Sequence, residues 1–359
     1  MRVLLLGGTW FLGQAAAIEV LARGWELTVF TRGRSGPGPA GAVAVTGDRT
    51  SSHDLSALAE HGPWDVVIDT SATDMAPREV LRAATLLEPV AGAYVFVSTV
   101  NVYREWPNKP LDESSELLDA PADADAEFGR LPAGWTGPDW YYGRQKAGAE
   151  KAVRETFGAQ RSVILRPGVI LGPGEYVGRL PWWLRRAARG GTILGPGAAG
   201  RRIQPVDVRD LASFALNRAV AAEGGSYNVT APGHETFGDL LNACVEVTGG
   251  RGAVEWVADE VLLEAGVRQW TELPLWRTSA GVWAVDSSAA RAVGLSTRPI
   301  RDTVRDTWRW MRAGGRTVDN PRWQEHGISV QDEAAVLGAA RLAAARAEVS
   351  SPPSARQCG

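Results

Sequence analysis

Short apolar runs alternate along the first half of the chain with stretches whose apolar positions follow a helical repeat. "RVLLLG" opens the series, a helix is predicted from about Leu12 to Arg23, and "ELTVFTR" follows. Next come "AVAVTGD", a helix near His53 to Glu60, "WDVVIDTSA", a helix over Pro77 to Leu87, and "AYVFVSTVNVY". Continuous apolar runs mark strands buried on both faces, and the alternation of strand and helix demands right-handed parallel crossovers. The predicted architecture is α/β, with a doubly wound parallel sheet. Gly24, just past Arg23, is placed to stop the first helix.

The alternation fails between Arg104 and Asp139. That stretch is acidic and rich in Pro, Ala and Gly, and it reads as an irregular insertion (104–139) of the lid, binding-loop or disordered kind. Helical pattern resumes at "WYYGRQKAGAEKAVRETFG", and "RSVILRPGVILG" reads as one buried strand. The segments "RRIQPVDVRDLASFALNRAV", "GGSYNVT" and "TFGDLLNACVEVTG" follow. Past Arg298 helices dominate, ending in an Ala-rich helix from about Val330 to Val349 and a tail expected to fray. The organisation expected is a nucleotide-binding domain over 1–165 and a smaller C-terminal substrate lobe over 166–330, some of whose segments return to the first domain. A terminal helix and tail occupy 331–359.

Charge narrows the function. With 38 basic and 41 acidic residues the net charge is −3, which offers no field for nucleic acid or an anionic membrane. The run Val3–Leu6 is too short for a secretory leader, and no stretch reaches membrane-spanning length. Two cysteines, Cys244 and Cys358, build no disulfide framework, so a reducing cytoplasm is the expected compartment. His53, His61, His234 and His326 are scattered without metal-ligand spacing, and no metal is expected. The 15 tryptophans cluster at Trp135/Trp140, Trp182/Trp183 and Trp270/Trp276/Trp283, where they either fill a core or line an apolar cleft.

Candidate chemistry begins at "GGTWFLG", a glycine turn between a strand and a helix. Gly7 permits the tight turn, and Thr9, Trp10, Phe11 and Leu12 lead into the positive end of the helix, where a pyrophosphate would sit. Gly13 lets that helix pack closely on the sheet, while Trp10 replaces the middle glycine of the usual pattern. The next strand ends in Thr31-Arg32 with Arg34 beyond. A missing carboxylate and a nearby guanidinium suit the 2′-phosphate of NADP, although Arg32 could equally be a solvated loop residue. Asp48 is a candidate for the adenine edge, and Ser71 and Ala72 for the nicotinamide ribose; each could also be an ordinary strand-end turn.

"YYGRQK" places Tyr142 and Lys146 four residues apart, hence on one helix face. An ammonium one turn away favours the phenolate, which a Tyr needs if it is to exchange protons near neutral pH. Ser98 and Thr99 end the strand "VFVST", at the sheet edge where ligands of doubly wound folds bind. Asp207 and Asp210 read as helix-start groups, and "RLPWWLRRAARGG" as an amphipathic helix or an anion contact.

In "GGTWFLG", "WDVVIDTSA", "VFVSTVNVY", "YYGRQKAGAE", "LRPGVILGPG" and "IQPVDVRDLA" the chain resembles the extended short-chain dehydrogenase/reductase superfamily, the NAD(P)-dependent epimerase/dehydratase group. The resemblance implies a Rossmann domain with a C-terminal substrate lobe. It also implies Tyr142 as acid/base, Lys146 as its partner and ribose ligand, and Thr99, with Ser98 beside it, as the catalytic hydroxyl. Arg166-Pro167-Gly168 would lie where the lobes meet. The "GGTxFLG" form resembles an atypical branch that includes reductases and chloroplast stem-loop RNA-binding proteins. Val100-Asn101 stand where dehydratases carry Asp-Glu, and Gly168 stands near the position of a substrate-holding Asn. Dehydration and a nucleotide-sugar substrate are therefore disfavoured. The function implied is an NADP-dependent (NAD remaining open) reductase of a small, aromatic or hydrophobic carbonyl compound. The alternatives are a sugar epimerase and, from another class, a non-catalytic RNA- or regulator-binding protein. A small-molecule substrate is the expected partner, without nucleic acid or membrane, and a homodimer stays open.

Overall fold

A computed structural model describes residues 1–34, 36, 38–221, 223–315 and 325–350, together with all but a few side chains near the C-terminal end. The tail expected to fray lies, beyond residue 350, outside the described residues. The first half alternates as β1 (Arg2–Leu6), α1 (Phe11–Ala22), β2 (Glu26–Thr31), β3 (Val43–Thr46), α2 (Ser52–Ala59), β4 (Trp64–Asp69), α3 (Pro77–Leu87), β5 (Ala91–Val97), α4 (Tyr141–Arg161) and β6 (Ser162–Pro167). There follow β7 (Ile170–Leu171), α5 (Arg179–Arg189), β8 (Gly191–Pro196), β9 (Val206–Asp207), α6 (Val208–Ala221), β10 (Gly225–Val229), α7 (Phe237–Val247) and β11 (Gly252–Val257). The chain closes with α8 (Asp259–Glu264), α9 (Ser288–Ala292), α10 (Ile300–Arg312) and α11 (Val330–Ser350).

Seven parallel strands form the central sheet in the order β10-β6-β5-β4-β1-β2-β3. The fold is a Rossmann-type doubly wound sheet. Residues Val3 to Leu6 are fully buried because helices cover both faces of β1. On one face α1 and α6 pack through Ala16, Ala17, Val20, Ala212 and Ala215. On the other, α2, α3 and α4 contribute Leu55, Val80, Ala83, Ala84, Leu87 and Val153. The strand order reverses between β1 and β4, and ligands of doubly wound folds bind outside the carboxyl ends of the strands at such a reversal.

A second core joins α5, α7, α8, α10 and α11 around Trp183, Phe237, Leu240, Trp276 and Val304. Within it the Arg186 guanidinium binds the Glu333 carboxylate at 2.7 Å, and Glu333 also accepts from Leu194 N (3.2 Å). This pair fastens α11 onto α5. The stretch "RSVILRPGVILG" is two strands rather than one: Gly168 interrupts it, and the short β7 pairs with β9.

The 104–139 insertion holds no helix or strand, yet its middle is well packed. From Leu118 to Ala124 every second residue is buried (Leu118, Ala120, Ala122, Ala124) while Asp119 and Asp123 face water. This period of two is that of an extended strap. Arg78 N donates to Ala124 O (3.0 Å), Gln145 Nε2 to Phe128 O (2.8 Å) and Tyr141 Oη to Ala126 O (2.8 Å), so the strap lies across α3 and α4. Further exchanges between Leu111 and Ala284 or Asp286 tie it to the C-terminal half.

Candidate active site

The glycine turn closes against its own helix. Gly7 and Gly8 have φ of 109° and 112°, in the left-handed region that glycine alone adopts without strain. A Cβ on Gly13 would stand 2.6 Å from Gly8 N, so only glycine lets α1 start this near the turn. Leu12 is buried, whereas Thr9 remains partly accessible. No side chain caps α1 and its first turn has no acidic residue, so the N–H groups left open there keep their capacity for an anion. Trp10, 37% exposed, lies with its ring 5.8 Å from that of Tyr176, and Phe11 meets the same ring at 6.1 Å. The bulky residue in place of glycine thus projects toward the C-terminal half rather than into the turn.

Beside the turn, Arg32 and Arg34 are exposed, and their side chains pair with no other described residue. Asp48 lies within their electrostatic reach; its carboxyl is held below the usual range chiefly by Thr50, whose N–H and hydroxyl donate to it at 2.9 and 2.8 Å. Ser71 Oγ accepts from Arg49 at 2.7 Å. Ala72 is packed into the core, which leaves only its backbone for any ligand.

Thr99 and the Lys146 ammonium both lie at the carboxyl end of β5. Thr99 Oγ1 accepts from Asn101 N (3.2 Å) and Asn101 Nδ2 (2.8 Å), which fixes the turn after the strand. Ser98 Oγ is buried with no hydrogen-bond partner among the described residues. Gly143 packs against this turn: a Cβ there would fall 2.1 Å from Asn101 O. The absent side chain lets the first turn of α4, which carries Tyr142, close onto the turn that follows Thr99. Lys146 is buried and donates from Nζ to Val97 O at 2.9 Å, with Nζ 4.8 Å from the Phe96 ring centre. Burial pushes its amine down to about 8, against a smaller upward pull from Asp69.

Sequence reasoning missed two buried charge clusters behind this site. Asp69 is bound by both terminal nitrogens of Arg49 (2.6 and 2.7 Å) and by Tyr94 Oη (2.8 Å). Arg166 binds Glu150 through Nε and Nη2 (2.9 and 2.7 Å) and donates to Tyr103 Oη (2.9 Å), which itself donates to Asn228 (2.7 Å). An acidic residue directly after the apolar run Val66–Ile68 was the available signal, since a buried carboxylate requires a cation.

Across from the sheet edge stands a wall of arginine and tryptophan. Arg277 lies over Trp270 (4.4 Å) and Trp106 (5.2 Å), and Arg179, which pairs with Glu175, lies over Trp270 at 5.4 Å. Burial, with Arg179 nearby, pushes the Arg277 guanidinium down to about 10, and its side chain pairs with no described carboxylate. Trp106 packs in one cluster with Val100, Tyr103 and Trp140, so this wall reaches the Thr99 turn. The tryptophan clusters thus divide: Trp183 and Trp276 are wholly buried core, because their N–H groups find Pro274 O (2.8 Å) and Asp259 (2.8 Å). Trp135 is exposed on the insertion. Asp207 and Asp210 bind Arg209 and Arg298 and face no cleft chemistry. A cavity of about 720 Å³ between α1 and α6 touches the glycine-turn segment at Phe11, and the Arg209, Asp210 and Arg298 that line it are paired already.

A doubly wound parallel sheet with a glycine turn at the carboxyl end of β1 is the scaffold that the sequence resemblance implies. The chain belongs to the NAD dependent epimerase/dehydratase family, whose sequence profile matches residues 3–230. A chloroplast stem-loop binding protein of 41 kDa (b) from Arabidopsis thaliana is 26% identical over 269 residues, 69% of this chain and 63% of that protein. The chain thus spans less than two thirds of that relative's length. Among solved structures, a UDP-glucose 4-epimerase superposes with a TM-score of 0.66 at 16% identity, covering 89% of this chain and 100% of the other. The Bordetella bronchiseptica enzyme WbmG, in complex with NAD and UDP, gives 0.64 at 17%, covering 88% and 96%. At such identities these two show a shared fold. Among the described residues no helix is long and apolar enough to cross a membrane.

Proposed function

We propose that the protein reduces the carbonyl of a small acidic molecule with NADPH, using Tyr142, Lys146 and Thr99. One observation bears most of the weight: a buried, titratable amine lies one helical turn from a partly exposed phenol, on a helix seated against the Thr99 turn.

The cofactor fits the residues present. The Gly7–Gly13 turn leaves room that any Cβ would fill, α1 presents an uncapped positive end, and Arg32 and Arg34, exposed and without a hydrogen bond or ion pair among the described residues, offer two cations for a 2′-phosphate. A bound nicotinamide dinucleotide supplies the hydride. Thr99 Oγ1, already an acceptor from Asn101, retains its own O–H to donate to the substrate oxygen. Tyr142 gives its hydroxyl proton to that oxygen as the carbonyl carbon is reduced, leaving an alcohol product and a phenolate that solvent reprotonates. Lys146, while protonated, stabilises the phenolate and holds ribose hydroxyls. Only three of the 38 basic residues are lysines, and arginine, which does not titrate, could not substitute at 146 if the amine must exchange protons. Arg277, which pairs with no described carboxylate, favours a substrate with a carboxylate or phosphate, and the Trp270 face accommodates a planar or apolar part.

An epimerase would reuse the same residues on one carbon, as the epimerase neighbour suggests. Thr31 and the exposed Arg32 and Arg34 favour the reductase, because NADPH is the usual cellular reductant. Titration of tryptophan fluorescence with NADPH, NADH and an RNA hairpin tests the reading. Quenching by NADPH at lower concentration than by NADH is expected. A response to RNA alone, falling steeply with salt, would replace this reading with a binding role like that named for the chloroplast relative.

A further inference from the structure

Asp69 ends β4 and is completely buried, whereas Asp65 in the same strand is exposed. Arg49 binds it with two parallel hydrogen bonds, Tyr94 Oη adds a third, and Ser71 N a fourth at 3.1 Å. Such a pair adds little net stability over well-packed apolar residues, so its presence calls for another role. The sheet register supplies one: Asp69 stands directly beside Phe96 of β5, and the Lys146 ammonium rests over the Phe96 ring.

We propose that Asp69 is a positioning residue for Lys146: its carboxylate, clamped by Arg49 and Tyr94, is the counter-charge that holds the buried amine over Phe96 and onto the Val97 carbonyl. The charges that reach Lys146 come from four places. They are Asp69 on β4, Arg49 on the loop after β3, Glu150 one turn further along α4, and Asp74 on the loop after β4. Glu150 is committed to Arg166 at 2.7 Å. Asp69 is the strongest of the four and opposes the burial that lowers the amine, while Arg49 acts in the opposite sense. Arg49 therefore moderates the carboxylate as well as holding it.

The inference rests on reading Lys146 as the partner of Tyr142, but its test needs neither substrate nor turnover, so the two can fail separately. The chain has three lysines, Lys109, Lys146 and Lys151. Full-length protein labelled at lysine Cε gives three NMR titrations, with Lys146 assigned by Lys146→Arg and the other two as internal controls. Asp69→Asn should lower the Lys146 midpoint by about one pH unit or more. Arg49→Gln should raise it. If a lone charge unfolds either variant, the double variant Arg49→Gln/Asp69→Asn leaves no charge unpaired and should still titrate below the wild type. Single variants that shift in the same direction, or a double variant with an unchanged midpoint, would overturn the proposal.

Discussion

Tyr142 and Lys146 lie one turn apart on α4 in opposite surroundings: the phenol is 36% exposed and the amine 4%. The helix thus crosses the boundary between surface and core within four residues. What opens one side is the loop-bound start of α4, and what closes the other is the packing of Lys146 between Phe96 and the Val97 carbonyl. A buried ammonium is costly, and a protein retains one where its chemistry is used.

That cost predicts a pH-dependent stability. The folded amine gives up its proton near pH 8, the unfolded one near 10.5. Between those values the unfolded state binds more protons, so wild-type stability rises with pH through that window. Lys146→Met removes the term. Thermal melts should show the variant more stable than wild type below pH 8, by on the order of 3 kcal/mol. The gap should shrink through the window and close at its upper end.

Gly143→Ala should push the turn that carries Tyr142 off the turn that follows Thr99. The new methyl must displace Asn101 O, which stands 2.1 Å from its ideal position. A destabilisation of about 1–3 kcal/mol in urea melts is expected. Turnover should fall further than folding alone explains, because the first turn of α4 moves off the Thr99 turn.

Arg32→Ala/Arg34→Ala should change cofactor choice. Neither side chain pairs with a described residue, so their loss leaves the fold intact. Calorimetric titration should show NADPH binding weakened roughly tenfold or more and NADH binding little changed, since charge-assisted bonds to a phosphate are worth about 1.5–3 kcal/mol.

Glu333→Ala should loosen α11. The change strands the Arg186 guanidinium, which is as deeply buried as its partner. A cost of about 3–5 kcal/mol is expected, visible as a lower denaturant midpoint and early amide exchange in α11.

Much of this fold is legible in the residues alone. The glycine turn sits between an apolar strand and a helix, Pro77 begins α3 where its fixed φ suits a first turn, and Tyr142 and Lys146 share a face by spacing. Other features depend on partners far apart in sequence. Arg49 and Asp69 are 20 residues apart, and Arg186 and Glu333 are 147 apart; neither member announces the other. The alanines of the strap hid its regularity, since small residues give only a faint period of two. Gly143 reads as an ordinary helix glycine until Asn101 O is placed against it.

The account stands or falls on proton donation by Tyr142. Protein supplied with NADPH dideuterated at nicotinamide C4 and a panel of carboxylate- and phosphate-bearing carbonyl compounds can be followed by mass spectrometry of the alcohol formed. Wild type should transfer deuterium to product, and Tyr142→Phe, with NADPH affinity intact, should do so about a hundredfold or more slowly. Equal deuterium transfer by the two proteins would contradict the role assigned to the phenol.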